Sequence, residues 1–273
     1  MQRLCELFGY TRQAYYKSLK RNDTGIVEDH LILLHVGEIR KMMPRLGVRK
    51  LHYMLQEQGI IVSRDRLFDI LREHRMLVRR RKKYTVTTNS KHWMKKYPNL
   101  IRGFNFQKPN QLWVSDITYI AIEGSFAYLS LITDAYSRKI LGYCLWRDLA
   151  SEGSIIALKM ALSGVQTNHY GLIHHSDRGI QYCCKEYVEL LKSGNIRISM
   201  TENGDPYENA LAERVNGILK DEWLNLEQFK SFEQAKERIE QVITIYNERR
   251  PHLSCGMRTP AKTHNTKKNG YTN

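Results

Sequence analysis

No apolar run in the 273-residue chain approaches the roughly 18 residues of a membrane span, and the amino terminus lacks the apolar core of a signal peptide. The expectation is a soluble cytoplasmic protein with no membrane partner. Cysteine is sparse: Cys5, Cys144, Cys183, Cys184 and Cys255 are odd in number and form no C-x-x-C pair. Neither a disulfide framework nor a zinc knuckle is indicated, and packing is their expected role. Internal repeats and low-complexity segments are missing too. Acidic residues are scarce where basic ones concentrate. Of 43 Lys and Arg against 28 Asp and Glu, residues 1–108 hold 24 and 9, whereas residues 109–273 hold 19 and 19. The entire excess of +15 therefore lies in the first 108 residues. That split predicts one part that grips a polyanion such as nucleic acid and another that does something else.

The basic part has a helical period. Leu31, Leu34, Ile39 and Met42 fit one helix face ended by Pro44, and Leu51, Met54 and Leu55 fit a second closed by Gly59. Ser63 is placed to cap a third helix carrying Leu67, Ile70 and Leu71. Three short helices with a tight joint suggest a helix-turn-helix, with Arg64, Arg66 and Arg72 facing a groove. The run Arg79, Arg80, Arg81, Lys82 and Lys83 follows, a solvated linker on its own but a phosphate contact beside a helix-turn-helix.

From residue 111 the period changes to strands. Residues 112–122, 126–133 and 139–146 are β-rich and joined by short turns; a helix over 151–164, a short strand before Asp177, a helix to Leu191, a strand over 196–200 and two long helices follow. The order βββαβαβαα is the layout of a ribonuclease-H-like α/β domain. The expected organisation is an amino-terminal helical segment (1–27), a helix-turn-helix domain (28–84), a basic linker (85–108), a catalytic core with a mixed sheet flanked by helices (109–225) and a carboxyl-terminal helix and tail (226–273).

Three carboxylates stand out. Asp177, in HHSDRGIQY, follows a short apolar run and precedes a helical pattern, so it either caps that helix or stands at a strand's carboxyl end, where chemistry is well placed. Asp116, in WVSDITY, falls inside an apolar strand, where aspartate is disfavoured unless something binds it or it faces outward. Glu213 lies in a helix that Asp205 and Pro206 are suited to start. At 100° per residue, Asn209, Asn216, Gly217 and Lys220 share its face, and Leu211, Val215, Ile218 and Leu219 lie opposite. An ordinary surface helix would divide in the same way.

Sixty residues separate Asp116 from Asp177 and 35 separate Asp177 from Glu213. With W-x-x-D-I-T-Y, H-S-D-R-G-x-Q-Y, Y-x-N-A-x-A-E-R-x-N, a following Lys220 and the later YNERRPH of residues 246–252 with Thr259 and Pro260, the chain closely resembles the DDE transposase and retroviral-integrase superfamily. Within it, these words resemble the OrfB product of the IS-three family of bacterial insertion sequences. Nearly the whole chain is covered; Arg45-Leu46-Gly47-Val48 and Val215 depart from common family words without touching a carboxylate.

The resemblance implies a metal-dependent transposase with Asp116, Asp177 and Glu213 as catalytic and metal-binding residues. Carboxylates converging in one cleft repel one another, and hard oxygen ligands suit two Mg²⁺ ions, with Mn²⁺ as substitute. Asp116 would bridge both ions and Lys220 approach terminal phosphates, while His175 either orients a ligand or is merely hydrogen-bonded. Expected partners are double-stranded DNA (terminal inverted repeats and target), further copies of the chain on DNA and an upstream-frame fusion segment, in a bacterial, nucleoid-associated setting. A ribonuclease-H-like nuclease or a non-catalytic DNA-binding regulator is the alternative. The first would not need the basic helical part, and the second leaves the carboxylates unexplained.

Overall fold

The computed structural model describes residues 2–7, 9, 11–79, 93–164, 171–202 and 209–266, the side chains of residues 2, 6 and 18–27 excepted. Two compact units divide the chain, Met1–Arg79 and Arg80–Asn273. The first is helical: α1 (Gln2–Leu7), α2 (Arg12–Met42), α3 (Val48–Glu57) and α4 (Arg64–Glu73). Ser63 caps α4, its hydroxyl accepting from the Arg66 N–H at 3.2 Å, as its position before the apolar pattern predicted. The expected boundary between residues 27 and 28 falls inside α2, a single helix of 31 residues. The apolar stripe of α2 also differs from expectation: Ile32, Val36, Ile39 and Met43 are buried, while Leu31, Leu34 and Met42 are exposed. Both stripes have helical spacing, and only the placement of Leu46, Leu51, Leu55, Leu67, Ile70 and Leu71, all buried, decides which one is covered.

The second unit is built on a five-stranded mixed sheet in the order β3-β2-β1-β4-β5. β1 (Leu112–Ile122), β2 (Ser125–Asp134) and β3 (Ile140–Trp146) form an antiparallel meander. β4 (Ile173–Ser176) and β5 (Arg197–Met200) continue it in parallel. α5 (Ser151–Ser163) lies so close to β3 that a Cβ on Gly142 would stand 2.0 Å from the Ala157 carbonyl oxygen, so only glycine fits there. The single helix expected up to Leu191 is two, α6 (Ile180–Cys183) and α7 (Lys185–Ser193), because Cys184 is extended at φ −65° and ψ 150°. α8 (Ala210–Glu222), α9 (Phe232–Glu248) and α10 (Pro260–Asn265) complete the unit. The expected helix start at Asp205 and Pro206 lies outside the described residues.

Strand parity sorts the two faces of the sheet. Trp113 and Ile132 pack with α5 and α7 in one core, whereas Leu112, Val114 and Ile173 pack with Ala212 of α8 in the other. Leu100, Ile101, Phe104 and Phe106, within the stretch read as a basic linker, pack against this second core. Among the described residues, no helix is long and apolar enough to cross a membrane.

Candidate active site

Asp116 stands in the middle of β1, on the face that α8 covers. On the β1 side, β4 pairs only with Leu112, Trp113 and Val114, in the register Val114 to His175. Two residues further along each chain come Asp116 and Asp177, so parallel registry brings the two carboxylates side by side beyond the end of β4. Glu213 projects from the first turn of α8 and is exposed. The carboxyl of Asp116 is pushed up to about 7, first by burial, then by the negative charge of Asp177, with a smaller push from Glu213. Hydrogen bonds from Asn216 and from the Ile117 backbone oppose the rise. Asp116 therefore feels the charge of both other acids. Among the described residues, however, no three His, Cys, Asp or Glu side chains are gathered tightly enough to hold a metal ion.

A second strand carboxylate, fully buried, shows what a purely structural aspartate looks like here. Asp134 accepts from the Asn110 N–H at 2.8 Å, the Ser137 N–H at 2.7 Å and the Ser137 hydroxyl at 2.6 Å, which closes the β2–β3 corner. Asp116 has no such cage. Among the described residues its one side-chain partner is Asn216 of α8, whose Nδ2 donates to Oδ2 at 2.8 Å. Asn216 and Asn209, the latter donating to the Ser115 carbonyl at 3.1 Å, are both buried rather than displayed with Glu213 as their shared helix face suggested. Among the described residues their Oδ1 atoms have no hydrogen-bond partner. A charged pair of acids beside an unmatched amide oxygen fits a hard cation with bound water, which would relieve all of them.

Asp177 is not the cap of the following helix. Gly179 holds that position, and Asp177 Oδ1 accepts from its N–H at 2.9 Å, a local turn that fixes one carboxylate oxygen. His175 is fully buried with Nδ1 bonded to Ser199 Oγ at 2.8 Å, and Ser199 Oγ in turn accepts from the Leu100 N–H at 2.9 Å. Lys220, two turns beyond Glu213, reaches the part of β1 that β4 leaves uncovered: Nζ donates to Thr118 Oγ1 at 3.2 Å and to the Tyr119 carbonyl at 3.0 Å. Burial lowers its pKa, and Asp221 and Asp116 pull the other way.

The far end of α8 is anchored by YNERRPH. Arg250, 2% exposed, forks onto Glu222 at 2.7 and 2.6 Å, and Asn247 Nδ2 donates to the Ile140 carbonyl at 2.9 Å. Sequence spacing found the three acids but not the roles of Asn216, Glu222 and Arg250. An amide three residues after Glu213, and so on nearly the same side of the helix, was the available signal.

In the helical unit, Arg64 pairs with Asp65 at 2.8 Å, Arg72 with Asp69 at 3.1 Å and Arg66 with Asp29. Each arginine expected to face a groove thus already has an acidic neighbour. Arg79 is described, its carbonyl accepting from Arg45, whereas Arg80, Arg81, Lys82 and Lys83 lie outside the described residues.

Comparison with known proteins adds a second line. The Integrase core domain family matches residues 107–206, and a further Integrase core domain family matches residues 194–260. The uncharacterized 31 kDa protein of insertion element IS600 from Shigella sonnei is 37% identical over 263 residues, 94% of this chain and 96% of that one. Transposase InsF of insertion sequence IS3A from Escherichia coli (strain K12) is 28% identical over 269 residues, 96% of this chain and 93% of that one. Among solved structures, a chain of the simian T-cell lymphotropic virus intasome in complex with PP2A regulatory subunit B56 gamma aligns with a TM-score of 0.51 at 19% identity, covering 85% of this chain and 75% of that one. The shared fold is the ribonuclease-H-like core of integrases.

Proposed function

Because the chain belongs to the insertion-sequence transposases of the IS3 family, DDE enzymes with an integrase-type core, we propose that Asp116, Asp177 and Glu213 are its catalytic carboxylates and that they act on the ends of its own element. The observation that carries this is Asp116: a half-buried strand aspartate without a structural cage, raised to about 7 beside a second acid. Bound by these three residues, two Mg²⁺ ions would supply Lewis-acid polarisation at phosphorus, with Mn²⁺ as substitute.

The chain's own residues do the rest. Asn216 holds one oxygen of Asp116 and the Gly179 N–H holds one oxygen of Asp177, which fixes the orientation of both carboxylates. Water first attacks the phosphorus at the element's end, breaking the bond to the 3′-oxygen and freeing a 3′-hydroxyl. That hydroxyl then attacks a phosphorus of another strand and displaces its 3′-oxygen, so no protein–DNA bond forms. Among the described residues the ammonium of Lys220 donates to two oxygens of β1 and lies over the Tyr119 ring, and it would offer its remaining N–H to a terminal phosphate. Residues 80–108 contain nine Lys and Arg and no Asp or Glu, which suits a duplex-binding role for Arg80, Arg81, Lys82 and Lys83 together with Arg79. Arg64, Arg66 and Arg72 would exchange their Asp partners for phosphate, a small loss for exposed pairs. Assembly as a homo-oligomer on DNA, and fusion to an upstream-frame product, belong to the same reading.

Asp177→Asn keeps the shape and removes the charge. Cleavage and joining of an oligonucleotide carrying the element's end should fall by orders of magnitude while DNA binding survives. Asp116→Cys should be nearly inactive in Mg²⁺ and partly restored in Mn²⁺. Parental activity of Asp177→Asn after chelation and Mg²⁺ restoration would overturn the assignment.

A further inference from the structure

The tip of the β1–β2 hairpin carries aromatic rings that the core does not use. Tyr119 is 37% exposed and Phe126 is 58% exposed, and their rings meet edge to face at 5.8 Å and 86°. In the antiparallel register Tyr119 faces Tyr128 and Ala121 faces Phe126, so the two rings are diagonal neighbours on one face of the hairpin. α5 covers that face further along, where Ser154 bonds Ser130 and Gly153 contacts Trp146. At the tip, two large rings stand in solvent.

We propose that this tip is a stacking platform for an unpaired nucleobase of the DNA strand next to the scissile phosphate. The inference rests on the transposase reading and extends it to a site for bases. Three observations support a base as the occupant. Tyr119 lies three residues along β1 from Asp116, about 10 Å, the length of about three stacked nucleotides of one strand; its side chain leaves the opposite face of the sheet, where β4 leaves β1 uncovered, so a strand held at the carboxylates reaches it around that edge. Lys220 Nζ sits 3.8 Å from the centre of the Tyr119 ring, so the platform carries a cation at its side, matching the phosphate that accompanies every base. Phe126, the more exposed ring, meets Tyr119 at 86°, so the two rings do not cover each other face to face and ring surface is left for stacking. Stacking of this kind tolerates every base, because each has a π-face. The carboxylates grip the phosphorus; the platform holds the adjoining base out of the duplex and so sets which phosphorus enters.

The test uses the full chain and duplexes of the element's end with 2-aminopurine placed singly at each of the first four positions, in chelator so that no chemistry occurs. The parent should quench fluorescence at one or two adjacent positions. Tyr119→Leu combined with Phe126→Leu should abolish that quenching and weaken end binding about tenfold, a typical stacking contribution. Tyr119→Phe should retain both. Matching thermal midpoints show that the variants fold. Quenching by the double variant equal to the parent's overturns the proposal, as does a parent that quenches no position or all four equally. A double variant that changes sedimentation while its quenching persists overturns it in favour of a contact between copies. None of these readouts requires cleavage, so they are independent of whether Asp177→Asn abolishes activity.

Discussion

Asp116→Asn should make the metal-free protein more stable at pH 8. The side chain keeps its shape, its oxygen can still accept from Asn216, and the buried charge is gone. A carboxyl carried from 3.8 up to about 7 on folding represents a ceiling of about 4 kcal/mol against the ionised form. Asp116 is only partly covered, so water lowers the cost, and about 1–3 kcal/mol is the expected gain. The sign follows from the direction. The group is raised in the folded state, so its cost is absent below the unfolded value, grows between about 4 and 7, and is complete above about 7. Thermal melts in chelator should therefore place the variant about 3–10 °C above the parent at pH 8, with the gap shrinking toward zero at pH 4. Millimolar Mg²⁺ should raise the parent's midpoint and leave the variant's nearly unchanged, because the ion stabilises only a fold that binds it. A gap that is the same at pH 4 and pH 8, or equal stabilisation of both proteins by Mg²⁺, would refute the buried-charge argument.

Asn216→Ala should weaken Mg²⁺ or Mn²⁺ binding by about 10-fold or more, read by titration calorimetry, because Asp116 loses the group that orients it; unchanged affinity would reduce Asn216 to packing. Changing Arg80, Arg81, Lys82 and Lys83 to Gln should lower the slope of log affinity against log salt by about 0.9 for each phosphate no longer neutralised. The triple Arg64, Arg66 and Arg72 to Gln change should lower it less, since those side chains already hold Asp partners. Arg250→Met should destabilise the fold by about 3–5 kcal/mol in urea titrations by removing the buried fork onto Glu222, and a loss under about 1 kcal/mol would count against the anchor.

Much of this protein is local. β-rich runs over residues 112–122, 126–133 and 139–146, joined by short turns, indicated three hairpin-linked strands, and the Asp and Glu spacings picked out the candidate acids before any coordinates. The cap at Ser63 was legible for the same reason, since a cap acts within three residues. What sequence could not decide were choices between equal local solutions. The two apolar stripes of α2 are equivalent until α3 and α4 bury one of them. The helix broken at Cys184 and the burial of Asn216 depend on what packs above. Arg250 and Glu222 are 28 residues apart in YNERRPH and α8, and nothing periodic links them. Only the folded chain, by bringing distant segments to hydrogen-bond distance, decides which polar groups are matched, as Asn216 is to Asp116 and Arg250 to Glu222.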